Sequence, residues 1–66
     1  MNIVVNHKKK TVAEAIALDS LLSDLNIEQQ GIAVAINNQI ITKSDWNNTT
    51  LKENDAITII QATQGG

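Results

Sequence analysis

Residues 18–36, "LDSLLSDLNIEQQGIAVAI", change their hydrophobic period half-way along. Leu18, Leu21, Leu22 and Leu25 recur at i, i+3, i+4 and i+7, one apolar stripe of a helix, with Asp19, Ser20, Ser23 and Asp24 on the other face. After Gly31 the period falls to two. Ile32, Val34 and Ile36 take the core side of a strand, and Ala33 and Ala35 face outward. Between the two patterns, Asn26 suits the left-handed conformation that closes a helix, and Ile27 supplies the apolar contact of a Schellman-type ending. A lone amphipathic helix cannot build a bundle, so its stripe requires a sheet to cover.

Working outward, residues 2–6 ("NIVVN") read as a strand, with Ile3 and Val5 on one side and Val4 on the other. "NHKK" reads as a turn. Thr11-Val12-Ala13-Glu14 has the spacing of a capping box that would start a helix at Val12, but the same stretch alternates like a returning strand. The leucine stripe favours a strand at about 9–14 and a helix at 18–25. Downstream, Asn37-Asn38 predicts a tight hairpin into a short strand, "QIIT". "KSDWNNTT" is a polar connection carrying the only tryptophan, which should fold back over the sheet edge. "KEND" is a turn, and residues 56–63 ("AITIIQAT") form the last strand. First and last strands lying parallel side by side would give an α+β fold, the β-grasp. It would have a mixed four- to five-stranded sheet covered on one face by one helix. The domain would span 1–63 and end in a flexible tail at 64–66.

Composition removes most functional classes. With 66 residues and no cysteine, the domain relies on aliphatic packing, without disulfides. A single histidine, His7, without sulfur or carboxylate neighbours at ligand spacing cannot assemble a metal site. His7 also lacks a catalytic partner, and Ser20, Ser23 and Ser44 stand outside any nucleophile elbow. No glycine-rich loop holds a nucleotide. A net charge of −2 argues against nucleic acid, with the run Lys8-Lys9-Lys10 read as a solvated turn. No apolar stretch reaches bilayer-spanning length and no signal-peptide layout is present, so a cytoplasmic protein with no membrane partner is expected. The chain does not read as an enzyme.

Two features remain. Strand parity turns Ile57 and Ile59 toward the helix and leaves Val4, Thr58, Ile60 and Ala62 on the uncovered face, an expected docking surface. The sequence ends in Gly65-Gly66. Glycine lets a backbone enter a narrow channel, and a terminal carboxylate is a recognised handle for capture. It becomes an electrophile once coupled to AMP, which requires a nucleotide site on a partner.

From Gly31 onward, "GIAVAINNQIITKSDW" and "LKENDAITIIQATQGG" resemble the sulfur carrier proteins of thiamine biosynthesis, a ubiquitin-like β-grasp family; residues 1–30 fit more loosely. The resemblance implies a protein cosubstrate that binds no cofactor of its own. An E1-like adenylyltransferase using ATP and Mg²⁺ would adenylate Gly66. Sulfur from a donor (a cysteine desulfurase or similar) would convert it to a thiocarboxylate, which thiazole synthase would consume. Gly65, Gln64 and Thr63 would give the tail access to the partner's active site, along an approach running from Gln61. The chain alone is expected to be monomeric. Departures from the family pattern are Asn54 where glycine is frequent, Ala17 where a threonine cap is frequent, and Gln64 in place of a small residue. Alternatives are the small subunit of molybdopterin synthase, a ubiquitin-like modifier, and a plain interaction domain.

Overall fold

The computed structural model describes residues 1–61. Its elements are β1 (Asn2–Val5), β2 (Lys8–Thr11), α1 (Leu18–Asp24), β3 (Ile32–Ile36), β4 (Gln39–Ile41), a 3₁₀ helix (Lys43–Asn48) and β5 (Ala56–Gln61). The strands form one five-stranded sheet in the order β2-β1-β5-β3-β4. β1 and β5 are parallel, and every other pairing is antiparallel. This is the mixed β-grasp sheet that the period change and the parallel end strands predict. The expected tail at 64–66, and the end of the last strand beyond Gln61, lie outside the described residues.

Both hairpins turn on asparagine. Asn6 and His7 have φ of 48° and 70°, and Asn37 and Asn38 have 51° and 70°. Positive φ at both central residues is the type I′ geometry whose twist matches that of paired strands. The first of these turns corrects two expectations. The turn is Asn6-His7 alone, so Lys8, Lys9 and Lys10 belong to β2 rather than to a solvated turn. The returning strand is Lys8–Thr11, not 9–14, because a two-residue turn starts the return at once. The stretch from Val12 to Ala17 is irregular, and the helix starts at Leu18, so the Thr11–Glu14 spacing caps nothing.

Ala17, the N-cap of α1, makes no side-chain cap bond. The first free amide is satisfied differently: Leu18 N–H donates to the Thr49 carbonyl at 2.9 Å, beside an isolated bridge between Ala17 and Thr50. The helix closes as its sequence predicts. Asn26 sits at φ 57°. Its N–H donates to Ser23 O, and that of Ile27 to Leu22 O, both at 3.0 Å, the paired bonds of a Schellman motif.

The core lies between α1 and one sheet face. Leu18, Leu21 and Leu22 pack with Ile3, Val5, Val34, Ile57 and Ile59, closed at one end by Leu51 and Trp46. Burying each large aliphatic contributes about 1.5–3 kcal/mol. The polar connection is a 3₁₀ helix, which buries Trp46 and lets its indole Nε1 donate to Ile41 O at 3.0 Å. The lone tryptophan thus folds back onto the end of β4, where Ile41 is the strand's last residue.

Candidate functional site

β5 is the middle strand and the one that leads toward the C-terminus. Two asparagine side chains fix it. Asn37, at the head of the second hairpin, accepts from Ala56 N–H at 3.0 Å through Oδ1 and donates to Asp55 Oδ1 at 3.1 Å. Asn6, at the head of the first, accepts from Ile59 N–H at 2.8 Å and donates to Ile59 O at 3.3 Å. Beyond Ile59, β1 has already turned away, so β5 pairs only with β3, through Ile60 with Ala33 and Gln61 with Ile32. The last described residue, Gln61, therefore stands at the end of the sheet beside Ile32, past the Asn6 clamp on Ile59.

The sheet face away from α1 is uncovered. Thr58 and Ile60 stand on it, both exposed, Ile60 by 54%. Val4 is on the same face and half-buried, but the register sets it beside Ala56. It is thus four residues upstream of Ile60, roughly 13 Å along the strand. The neighbour that completes the apolar surface is Ile40 of β4, 63% exposed. Ala35 lies between Thr58 and Ile40 in register, and Ala33 beside Ile60. The two isoleucines thus rise on either side of small residues. Ala35 keeps the outward parity expected of it, yet is 7% exposed and outside the core cluster, because those neighbours cover it. Lys9, level with Val4 on β2, puts a cation at the far rim.

Ile40 was legible through its partner. Once Asn37-Asn38 is a two-residue turn, Ile41 faces Val34 in the core and Ile40 must face outward beside Ala35. The other expected site residues, Ala62, Thr63, Gln64, Gly65 and Gly66, lie outside the described residues. Among the described residues no group of His, Cys, Asp or Glu is placed to hold a metal ion, and no helix is long and apolar enough to cross a membrane.

Comparison with known proteins runs the length of the chain. The family model of the ThiS family matches residues 2–66. The sulfur carrier protein ThiS of Escherichia coli (strain K12) is 32% identical over 66 residues, covering 100% of both chains. A crystal structure of the thiamine biosynthesis protein ThiS from Geobacter metallireducens superimposes with a TM-score of 0.87 at 33% identity, covering 100% of each chain. A solution structure of a thiamine biosynthesis protein from the same organism gives 0.80 at 33% identity, over 100% of this chain and 88% of that one.

Proposed function

This chain belongs to the ThiS family, and from that membership we propose that it carries sulfur on its own C-terminus for thiamine biosynthesis. The observation that carries the reading is that the family match spans residues 2–66 and so includes Gly66. The fold is consistent with it, since β5, the strand that the Asn6 and Asn37 side chains fix, is the last described element before the C-terminal residues.

The chemistry follows from the carboxylate. A Gly66 carboxylate oxygen attacks the α-phosphorus of ATP on an E1-like adenylyltransferase, which supplies Mg²⁺, and pyrophosphate leaves. A persulfide from a cysteine desulfurase or similar donor then displaces AMP to give an acyl disulfide. A thiol reductant cleaves its S–S bond, releasing the thiocarboxylate and forming a disulfide with the donor's sulfur. Thiazole synthase takes that sulfur for the thiazole ring. This chain contributes shape. Gly65 lets the backbone pass a narrow channel, Thr63 and Gln64 bridge the folded domain to it, and Thr58, Ile60 and Ala62 with Val4 and Ile40 form the docking face. The protein is a cosubstrate and acts in the cytoplasm, where both enzymes and ATP are at hand.

The test is intact-mass spectrometry after incubation with the cognate adenylyltransferase, ATP and a sulfur donor. Exchange of one oxygen for sulfur at Gly66 is expected, and deletion of Gly66 abolishes it while leaving the fold intact. A ladder of lysine-linked products would assign a modifier instead. An unchanged mass would reject the carrier reading.

A further inference from the structure

We propose that the outer edge of β2, together with the groove between it and α1, receives an extended segment of a partner protein in which acidic and apolar residues alternate. β2 is an end strand and borders only β1. Its phase is set at Met1 and Val12, which exchange two bonds: the Met1 ammonium donates to Val12 O at 2.7 Å, and Val12 N–H donates to Met1 O at 2.8 Å. Bonded pairs alternate along an antiparallel ladder. Lys10 and Lys8 therefore also turn their main-chain groups toward β1. The N–H and C=O of Lys9 and Thr11 point away from the sheet, as a template for one more strand.

Side-chain parity describes what such a strand must carry. Lys8 and Lys10 register with Val5 and Ile3 and so face the α1 side, while Lys9 and Thr11 face the open side. On the α1 side the edge borders a groove of about 450 Å³, with Val12, Leu21 and Leu25 on its floor and Lys9, Lys10 and Asp24 around it. That volume lies within the range of about 300–1,000 Å³ typical of ligand sites. Residues of an added strand that point to α1 would enter a groove that is apolar at Val12 and Leu25 and polar at its Lys10 and Asp24 walls. Those that point the other way would lie beside Lys9.

Charge selects the occupant. Lys8, Lys9 and Lys10 are consecutive and all exposed, in a chain with five basic residues and a net charge of −2. Two acidic groups stand nearby. Asp24 is on the helical wall, and Glu14 is paired with the Met1 ammonium at 3.2 Å. A second copy of this chain fits poorly, because β2 against β2 sets lysine opposite lysine, and like charges directly opposed are destabilising. Lysines on an edge strand block such self-pairing, and the same charges favour a segment rich in Glu or Asp. β1 separates β2 from β5, so the occupant lies two strands from Ile60 and meets the docking face only at its Val4–Lys9 rim.

The test uses the full chain, ¹⁵N-labelled, titrated with a capped hexapeptide alternating glutamate and valine, and with its lysine–valine counterpart. The glutamate peptide should shift and protect from exchange the Lys9 and Thr11 amides, with shifts at Leu21 and Leu25. The lysine peptide should bind at least tenfold more weakly. The double variant Lys9→Glu/Lys10→Glu should weaken the glutamate peptide at least tenfold. Thr11→Pro keeps every lysine and removes one outward donor, and should do the same with its melting curve preserved. Equal binding of both peptides, shifts confined to the Ile60–Ile40 face, concentration-dependent dimerisation through β2, or no shift at millimolar peptide would each overturn the proposal.

Discussion

The side-chain amide of Asn6 stands in for a strand residue: it accepts from Ile59 N–H at 2.8 Å and donates to Ile59 O at 3.3 Å, as a neighbouring main chain would. Asn6 is also at φ 48°, which asparagine tolerates better than most residues. Asn6→Ala should therefore lose two hydrogen bonds at about 1 kcal/mol each and add backbone strain of about 1 kcal/mol. Urea denaturation should show a loss of roughly 2–3 kcal/mol from these terms. Asn6→Gly relieves the strain but not the lost bonds, and should fall between the two. Equal stability of wild type and Asn6→Ala would refute the clamp.

Ala15 holds φ 57° in the exposed stretch before α1, a conformation costly for a residue with a Cβ. The left-handed penalty is about 1–2 kcal/mol, and glycine's greater unfolded entropy returns about 0.5–1 kcal/mol of it. Ala15→Gly should be a net stabilisation of about 0.5–1 kcal/mol, seen as a higher melting temperature. A lower one would mean that the strain is not present in solution.

Ala17 already has the extended backbone of an N-cap, φ −78° and ψ 153°, but no side-chain oxygen to use it. Ala17→Ser supplies one for the amides of Asp19 or Ser20. Thermal unfolding should show a gain of about 0.5–1 kcal/mol. No gain would indicate that the bond from Leu18 N–H to Thr49 O already saturates the helix start.

Ile60 and Ile40 are solvent-exposed and contribute little to the core. Ile60→Asp and Ile40→Asp should leave the unfolding free energy within about 0.5 kcal/mol of wild type. Each should raise the KM for this protein in the adenylation assay about tenfold or more, the scale of a docking hot spot, with kcat nearly unchanged. Ile40→Asp without effect would confine docking to β5.

Unfolding can be followed through Trp46, 3% exposed and the only tryptophan. Its native emission should be blue-shifted and move red in one transition that coincides with loss of circular dichroism. Separate transitions would show the 3₁₀ helix melting ahead of the sheet.

The features legible in the sequence are those written in local pattern. The Leu18–Leu25 stripe, the Asn26–Ile27 helix ending and the alternation around Val34 and Ile57 each need only neighbours a few residues away, and each appears where it was expected. The misreadings fall where local cues compete. "NHKK" offered four polar residues for a turn that uses two, because type I′ geometry at Asn6-His7 lets lysine enter a strand directly. The Thr11–Glu14 spacing mimicked a cap, while the real helix start borrows a carbonyl from Thr49, thirty-one positions downstream of Leu18, which no local motif announces. The clamp of Asn6 on Ile59 spans 53 positions and was invisible for the same reason. On the open face, parity found Thr58 and Ile60. The exposure of Ile40 followed only once the second hairpin's register was fixed.

The order β2-β1-β5-β3-β4 also sets a timetable. The β1–β2 and β3–β4 hairpins share no border except through β5, the last strand to be made. A ribosome that has not reached Ala56 holds two hairpins with no seam between them, and a two-stranded hairpin is marginal in water. The β1–β5 pairing joins the opening and closing segments of the chain, and non-local pairing of this kind slows folding relative to a domain built from near neighbours alone. The sheet of the nascent protein thus cannot close before β5 emerges, and its inner face stays open to other partners until then.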